Sequence, residues 1–176
     1  MVKRRFMMVL AAVLPLLLWK VVSAAPSPAV ATCSITVTVA DIMEWEANFP
    51  AIALSNIASQ GASVTGTSMM TLYTNGDVHI SANNTTAAQL TGPNNDTLVT
   101  EYGLAYDGDG LTNTGGNTVN YTLHNLFLAA PSVVTHVPND GAVEVTLSVR
   151  ASNETGTLAN AGLYSTTQTL TATWGT

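Results

Sequence analysis

One cysteine, Cys33, stands in a chain of 176 residues. No intrachain disulfide can form, so stability must come from a packed core. Cationic residues are nearly as scarce. Five Lys and Arg face eleven Asp and Glu. Lys3, Arg4, Arg5 and Lys20 sit near the start, which leaves Arg150 as the one basic residue beyond them. All the acids lie from Asp41 onward, so that part of the chain carries a formal net charge of −10, His counted as neutral. Without clustered Lys or Arg it has nothing to neutralise phosphates with, which argues against nucleic acid and anionic membrane surfaces as partners. No lysine follows Lys20, so an internal Lys–Asn crosslink is excluded beyond that point.

What is present begins with a secretion signal. Met1-Val-Lys-Arg-Arg5 is a basic start, Phe6 to Leu18 is apolar, and Ser23-Ala24-Ala25 supplies small residues. That order reads as a signal peptide over residues 1–24, cleaved after Ala24. Lys20 interrupts the apolar run short of the ~20 residues a membrane span needs, so no membrane association is expected after cleavage. The mature protein is then secreted, extracellular or at the cell surface. Residues 25–32, rich in Ala and Pro, read as a flexible leader. Residues 33–176 are long enough for one core.

Those residues alternate with the period of strands. Cys33–Ala40 (CSITVTVA) puts Ile35, Val37 and Val39 on one face and Ser34, Thr36 and Thr38 on the other. Residues 41–48 break the pattern, and the spacing of Ile42, Trp45 and Phe49 suggests a helical turn, with a bent strand as the alternative. Residues 51–57 follow as a strand with Ile52 and Leu54 inward. Residues 68–82 read as a hairpin around Asn75-Gly76. A three-residue loop would pair Leu72 with Val78 and Met70 with Ile80 and place Gly76 at positive φ. Residues 98–106 and 118–128 alternate again, the latter with Val119, Tyr121 and Leu123 on one face. Residues 142–151 (AVEVTLSVRA) are the cleanest strand, and residues 161–176 form a long closing strand. Residues 142–151 are its expected hairpin neighbour, and Cys33–Ala40 is a candidate on its other side. Short strands at intervals near ten residues, Gly/Asn/Asp turns and almost no helix define an all-β chain. The expected fold is a single antiparallel β-sandwich, Ig-like or jelly-roll-like.

Little chemistry stands out. Asp107-Gly-Asp109-Gly opens like a calcium loop, since carboxylates two apart begin an oxygen cage for a hard cation. The pattern then fails: Leu111 replaces an oxygen ligand, Thr112 a required Gly, and Thr118 the closing Glu. As a turn the segment needs no ion. His79, His124 and His136 lack the close spacing of a zinc site. There is no G-x-S-x-G. Glu44, Glu46 and Glu101 are available as a carboxylate pair for glycoside hydrolysis only in the sense that they are carboxylates. No catalytic residue or cofactor is expected. Asn83, Asn84, Asn95, Asn120 and Asn153 head N-glycosylation sequons.

Gly162-Leu-Tyr164 followed by Thr169-Leu-Thr-Ala-Thr-Trp174 resembles the last strand of secreted bacterial fimbrial and spore-coat-U-like modules. Ser34–Ala40 is similar to the first strand of such modules. The likeness covers the two ends, about a fifth of the chain, and departs from many fimbrial subunits in lacking their disulfide. It implies a non-catalytic structural subunit of a fibre, pilus-like assembly or coat, with self-association by β-strand addition through Cys33–Ala40. A second reading is a carbohydrate- or surface-partner-binding sandwich that uses Tyr102, Tyr106 and the loop 107–117.

Overall fold

The computed structural model describes residues 28, 30–107 and 117–175. The signal segment 1–24 lies outside them. Residues from Val39 to Thr176 form one compact unit, and residues up to Thr38 form another. The described strands are β1 (Met43–Trp45), β2 (Ser63–Thr74), β3 (Val78–Ala82), β4 (Val99–Tyr106), β5 (Asn117–Leu123), β6 (Ser132–Val134), β7 (Ala142–Ser152) and β8 (Leu170–Trp174). Two single-turn 3-10 helices, Thr86–Ala88 and Pro93–Asn95, are the only helical pieces among the described residues. The chain is all-β, as the alternation requires.

Two antiparallel sheets result. The larger runs β1-β2-β7-β4-β5 and the smaller β6-β3-β8. β7 is the centre of the larger sheet, paired with β2 on one side and β4 on the other. Its odd-numbered residues Val143, Val145, Leu147 and Val149 are buried, and Glu144, Thr146, Ser148 and Arg150 between them are half-buried on the outer face. Leu72, Tyr102, Leu104 and Tyr106 from the larger sheet share one core with Val78, Ile80 and Val134 from the smaller. Phe127, fully buried, belongs to the same cluster and stacks at 5.5 Å on Tyr102.

Several expectations fail, each for a tertiary reason. β2 and β3 flank Asn75-Gly76 but do not pair. β2 stays in the larger sheet, with Leu72 opposite Val143 and Trp45. β3 crosses to the smaller sheet, with Val78 opposite Val134 and Trp174. Apolar residues facing inward satisfy a corner between sheets as well as a hairpin, so alternation cannot separate the two. Gly76 is not at positive φ. It is small because Trp174 lies against it: an added Cβ would stand 3.2 Å from Cζ3 of that indole. Thr74 fixes the corner, its hydroxyl donating to the Gly76 carbonyl (2.7 Å) and accepting from the Gly76 N–H (3.3 Å).

Residues 33–40 form no strand; the first described strand is β1, inside the stretch read as a helical turn. Residues 51–57 keep strand-like alternation without a ladder. Ile52 and Leu54 press onto β2 at Gly66, where a Cβ would come within 2.5 Å of Ile52 Cγ2. In β5 the register against β4 shifts between Tyr102 and Leu104. A bulge of this kind turns two residues of equal parity to opposite faces. Val119 packs on the core, whereas Tyr121 lies outside beneath Arg150. The closing strand is shorter than expected and pairs with β3, not β7; before it, Ser165 makes only an isolated bridge to Thr91.

Candidate functional site: an open sheet edge and an exposed apolar segment

β8 ends the order of the smaller sheet, so among the described residues only one of its edges is paired. Its register on β3 decides which backbone groups are free. The Asn83 N–H donates to the Thr169 carbonyl at 2.9 Å, and the Gly175 N–H to the Asp77 carbonyl at 2.7 Å. Antiparallel strands exchange both bonds at alternate positions, so odd-numbered residues 169–175 face β3. The N–H and C=O groups of Leu170, Ala172 and Trp174 point the other way, and no partner for them occurs among the described residues. Leu170 and Ala172 are half-buried against the common core, and Trp174 is 39% exposed. Met43 and Trp45 of β1 add half-buried apolar surface to the same core. An edge of this kind is a template for another strand.

The apolar face of residues 33–40 is exposed. Ile35 is 89% exposed, Val37 87% and Val39 69%. Cys33 is an exposed free thiol. Three β-branched residues at strand spacing left in water have the form of a strand without a sheet. Where the segment joins the sandwich, Asn75 holds it. The Asn75 Nδ2 donates to the Ala40 carbonyl and its Oδ1 accepts from the Ile42 N–H, both at 2.8 Å. The Asn75 N–H donates to the Ile42 carbonyl at 3.1 Å.

The other sequence candidates are dispersed. Tyr102 and Tyr106 are 2% and 3% exposed and belong to the core. The Tyr102 hydroxyl donates to the Ala88 carbonyl (2.7 Å) and that of Tyr106 to the Val133 carbonyl (2.8 Å). Burial pushes the Tyr102 phenol above its ordinary pKa, against a hydrogen bond with Thr166. Neither ring presents a face to a ligand, so the two tyrosines leave the carbohydrate reading. Asp107 is buried at the end of β4 and lines a cavity of about 120 Å³ with Asn117, Glu144 and Thr146. Asp109, its expected calcium partner, lies outside the described residues. No group of three or more His, Cys, Asp or Glu among the described residues could hold a metal ion. His79 lies on β3, while the backbone N–H groups of His124 and His136 bond Thr100 and Asp77.

Glu101 is engaged on the outer face. Arg150 on β7 donates to it from Nε (2.6 Å) and Nη2 (2.8 Å), and its guanidinium lies 4.8 Å from the Tyr121 ring centroid. The Arg150 hydrogen bonds hold the Glu101 carboxyl below its ordinary pKa, partly offset by burial. Glu44 and Glu46 are exposed at β1, and none of the three glutamates lines either of the two cavities described. The second cavity, about 220 Å³ at the other end of the sandwich, is lined by Gln89, Asp96, Ser152, Asn153, Glu154 and Thr157, among others. Asp96 organises its rim, accepting from the Thr97 and Asn160 N–H groups and the Tyr164 hydroxyl. The alternation of residues 161–176 flagged a strand, but nothing in the local sequence told which edge of it would remain open.

No protein-family model, curated protein or solved structure matches the chain significantly.

Proposed function

We propose that this chain is a secreted, non-catalytic structural subunit of a cell-surface assembly, joined to further copies by β-strand addition through Cys33–Ala40. The observation that carries this reading is the alternating Ile35, Val37 and Val39 face left in solvent. The outer edge of β8 supports it from the receiving side. An added strand there satisfies the backbone of Leu170, Ala172 and Trp174. The same two-residue spacing sets three apolar side chains beside Leu170, Ala172 and Trp174. Covering each donor side chain is worth about 1.5–3 kcal/mol before the cost of ordering the segment. The signal-type start and the acidic composition after it, with no lysine beyond Lys20, fit an extracellular site of action.

The test removes the donor. Deleting residues 33–40 is expected to leave a folded monomer by circular dichroism and sedimentation, while the full mature chain forms oligomers whose size grows with concentration. Polymers that persist in electron micrographs of the deletion would sink the reading.

A second reading, a carbohydrate-binding module, draws on the polar cavity at Asp96 and Glu154. Its carboxylates, amides and hydroxyls suit a neutral polyol. A glycan array with folded protein tests it, and no signal would remove it.

A further inference from the structure

We infer that Asn75-Gly76 is a self-modifying site, an asparagine whose spontaneous deamidation is held off by its contact with the backbone of residues 40–42. The reading stands independently of strand addition. It is the only Asn-Gly pair in the chain, and glycine is the successor that least hinders the reaction. The Gly76 backbone nitrogen attacks the Asn75 side-chain Cγ. An N–C bond forms, the Cγ–Nδ2 bond breaks, and the proton from Gly76 leaves with Nδ2 as ammonia. The resulting succinimide takes up one water and opens to aspartate or isoaspartate. No oxidant, enzyme or metal is required.

Both reacting groups are restrained. The Asn75 carboxamide is fixed at its two ends, by the Ile42 N–H on Oδ1 and by the Ala40 carbonyl on Nδ2, each at 2.8 Å. The Gly76 N–H is turned onto the Thr74 hydroxyl at 3.3 Å, and that hydroxyl also holds the Gly76 carbonyl at 2.7 Å. The attack requires the carboxamide to rotate over the Gly76 nitrogen, which costs these bonds first. Asn75 is otherwise exposed, so water reaches it.

The product undoes the lock. An aspartate at position 75 has no donor for the Ala40 carbonyl and places carboxylate oxygen against carbonyl oxygen. What remains is the Ile42 N–H on a carboxylate oxygen, the residue-75 N–H on the Ile42 carbonyl, and the pairing of β1, a strand of three residues, with β2. Deamidation therefore removes the hold on Ala40 and loosens the start of β1, and does so irreversibly.

The experiment follows Asn75 by peptide mass spectrometry during incubation at neutral pH. It uses the full mature chain, the same chain unfolded in urea, Ile42→Pro, which removes the N–H on Oδ1, and Thr74→Val, which frees Gly76. The native chain is expected to deamidate about tenfold more slowly than the unfolded one, a ratio in line with losing ordinary hydrogen bonds. Each folded variant, checked by circular dichroism, should fall between. In the deamidated fraction the Glu44 amide, which the β1–β2 register directs at Tyr73, should exchange faster. Equal rates in the native and unfolded chains overturn the inference, and so does unchanged Glu44 protection after deamidation. Should Ile42→Pro not fold, Thr74→Val with the native–urea pair decides it.

Discussion

Arg150 on β7 clasps Glu101 on β4 with two parallel hydrogen bonds, 2.6 Å from Nε and 2.8 Å from Nη2. The pair sits on neighbouring strands at directly opposed positions. The Arg150 side chain is 38% exposed, so water screens much of the Coulomb energy. Glu101→Gln should therefore cost only about 0.5 kcal/mol in denaturant unfolding near neutral pH. Its signature lies in the pH dependence. The Glu101 pKa is lowered in the folded state from an ordinary 4.5. The pair thus contributes fully above that value and is lost as pH falls through the lowered folded pKa. The wild type should lose stability relative to Glu101→Gln below about pH 4.5. Parallel curves down to the lowest pH would refute the coupling.

Gly141 faces a harder obstacle than any side chain. A Cβ there would stand 2.5 Å from the Thr74 backbone carbonyl, while the Gly141 carbonyl accepts from the Thr74 N–H at 2.8 Å. Backbone cannot rotate aside as a side chain can. Gly141→Ala should destabilise by about 1–3 kcal/mol, read as a shift of the urea midpoint without a change of slope.

Tyr102 and Tyr106 serve the core. Tyr102→Phe leaves the buried Ala88 carbonyl without its donor and should cost about 1–2 kcal/mol. Phe127→Ala, which empties a fully buried site, should cost about 3–5 kcal/mol. Neither is expected to change any ligand-binding signal beyond what loss of folded protein explains, and a specific loss of glycan binding in folded Tyr102→Phe would contradict this.

These contrasts show what the sequence carried. Residues 142–151 announced themselves because β7 has one dry face and one wet face along its whole length. Alternation puts Tyr121 on the face of Val119, yet it lies on the other, since the bulge opposite Gly103 depends on a neighbouring strand and not on the pattern within β5. The corner at Asn75-Gly76 was misread for a related reason. Leu72 and Val78 are inward whether their strands share a sheet or face each other across the core. The open edge of β8 is a property of strand order, and strand order here joins residues far apart, with β3 and β8 separated by four other strands. The donor candidate was legible as a pattern, because Ile35, Val37 and Val39 alternate. That they stand in water was not, because alternation reports a face and not its cover.

Hydrogen-bond parity in β8 gives a selective way to block the edge. The Ala172 N–H points away from β3, so Ala172→Pro removes an edge donor without removing a ladder bond. The variant should fold and remain monomeric. Thr171→Pro, whose N–H faces β3, should instead destabilise the smaller sheet. Equal effects of the two on folding would mean the register assigned to the edge is wrong.

In the proposed assembly, residues 33–40 of one copy cover the outer edge of β8 in another. Amide hydrogen exchange at Leu170, Ala172 and Trp174 reads that edge directly, in the mature chain at assembling concentration and in the chain lacking residues 33–40. Slow exchange is expected at all three positions in the first and fast exchange in the second, with the β3-facing amides of Thr171 and Thr173 protected in both. Exchange that is equally fast at Leu170, Ala172 and Trp174 in both chains, or equally slow, would contradict it.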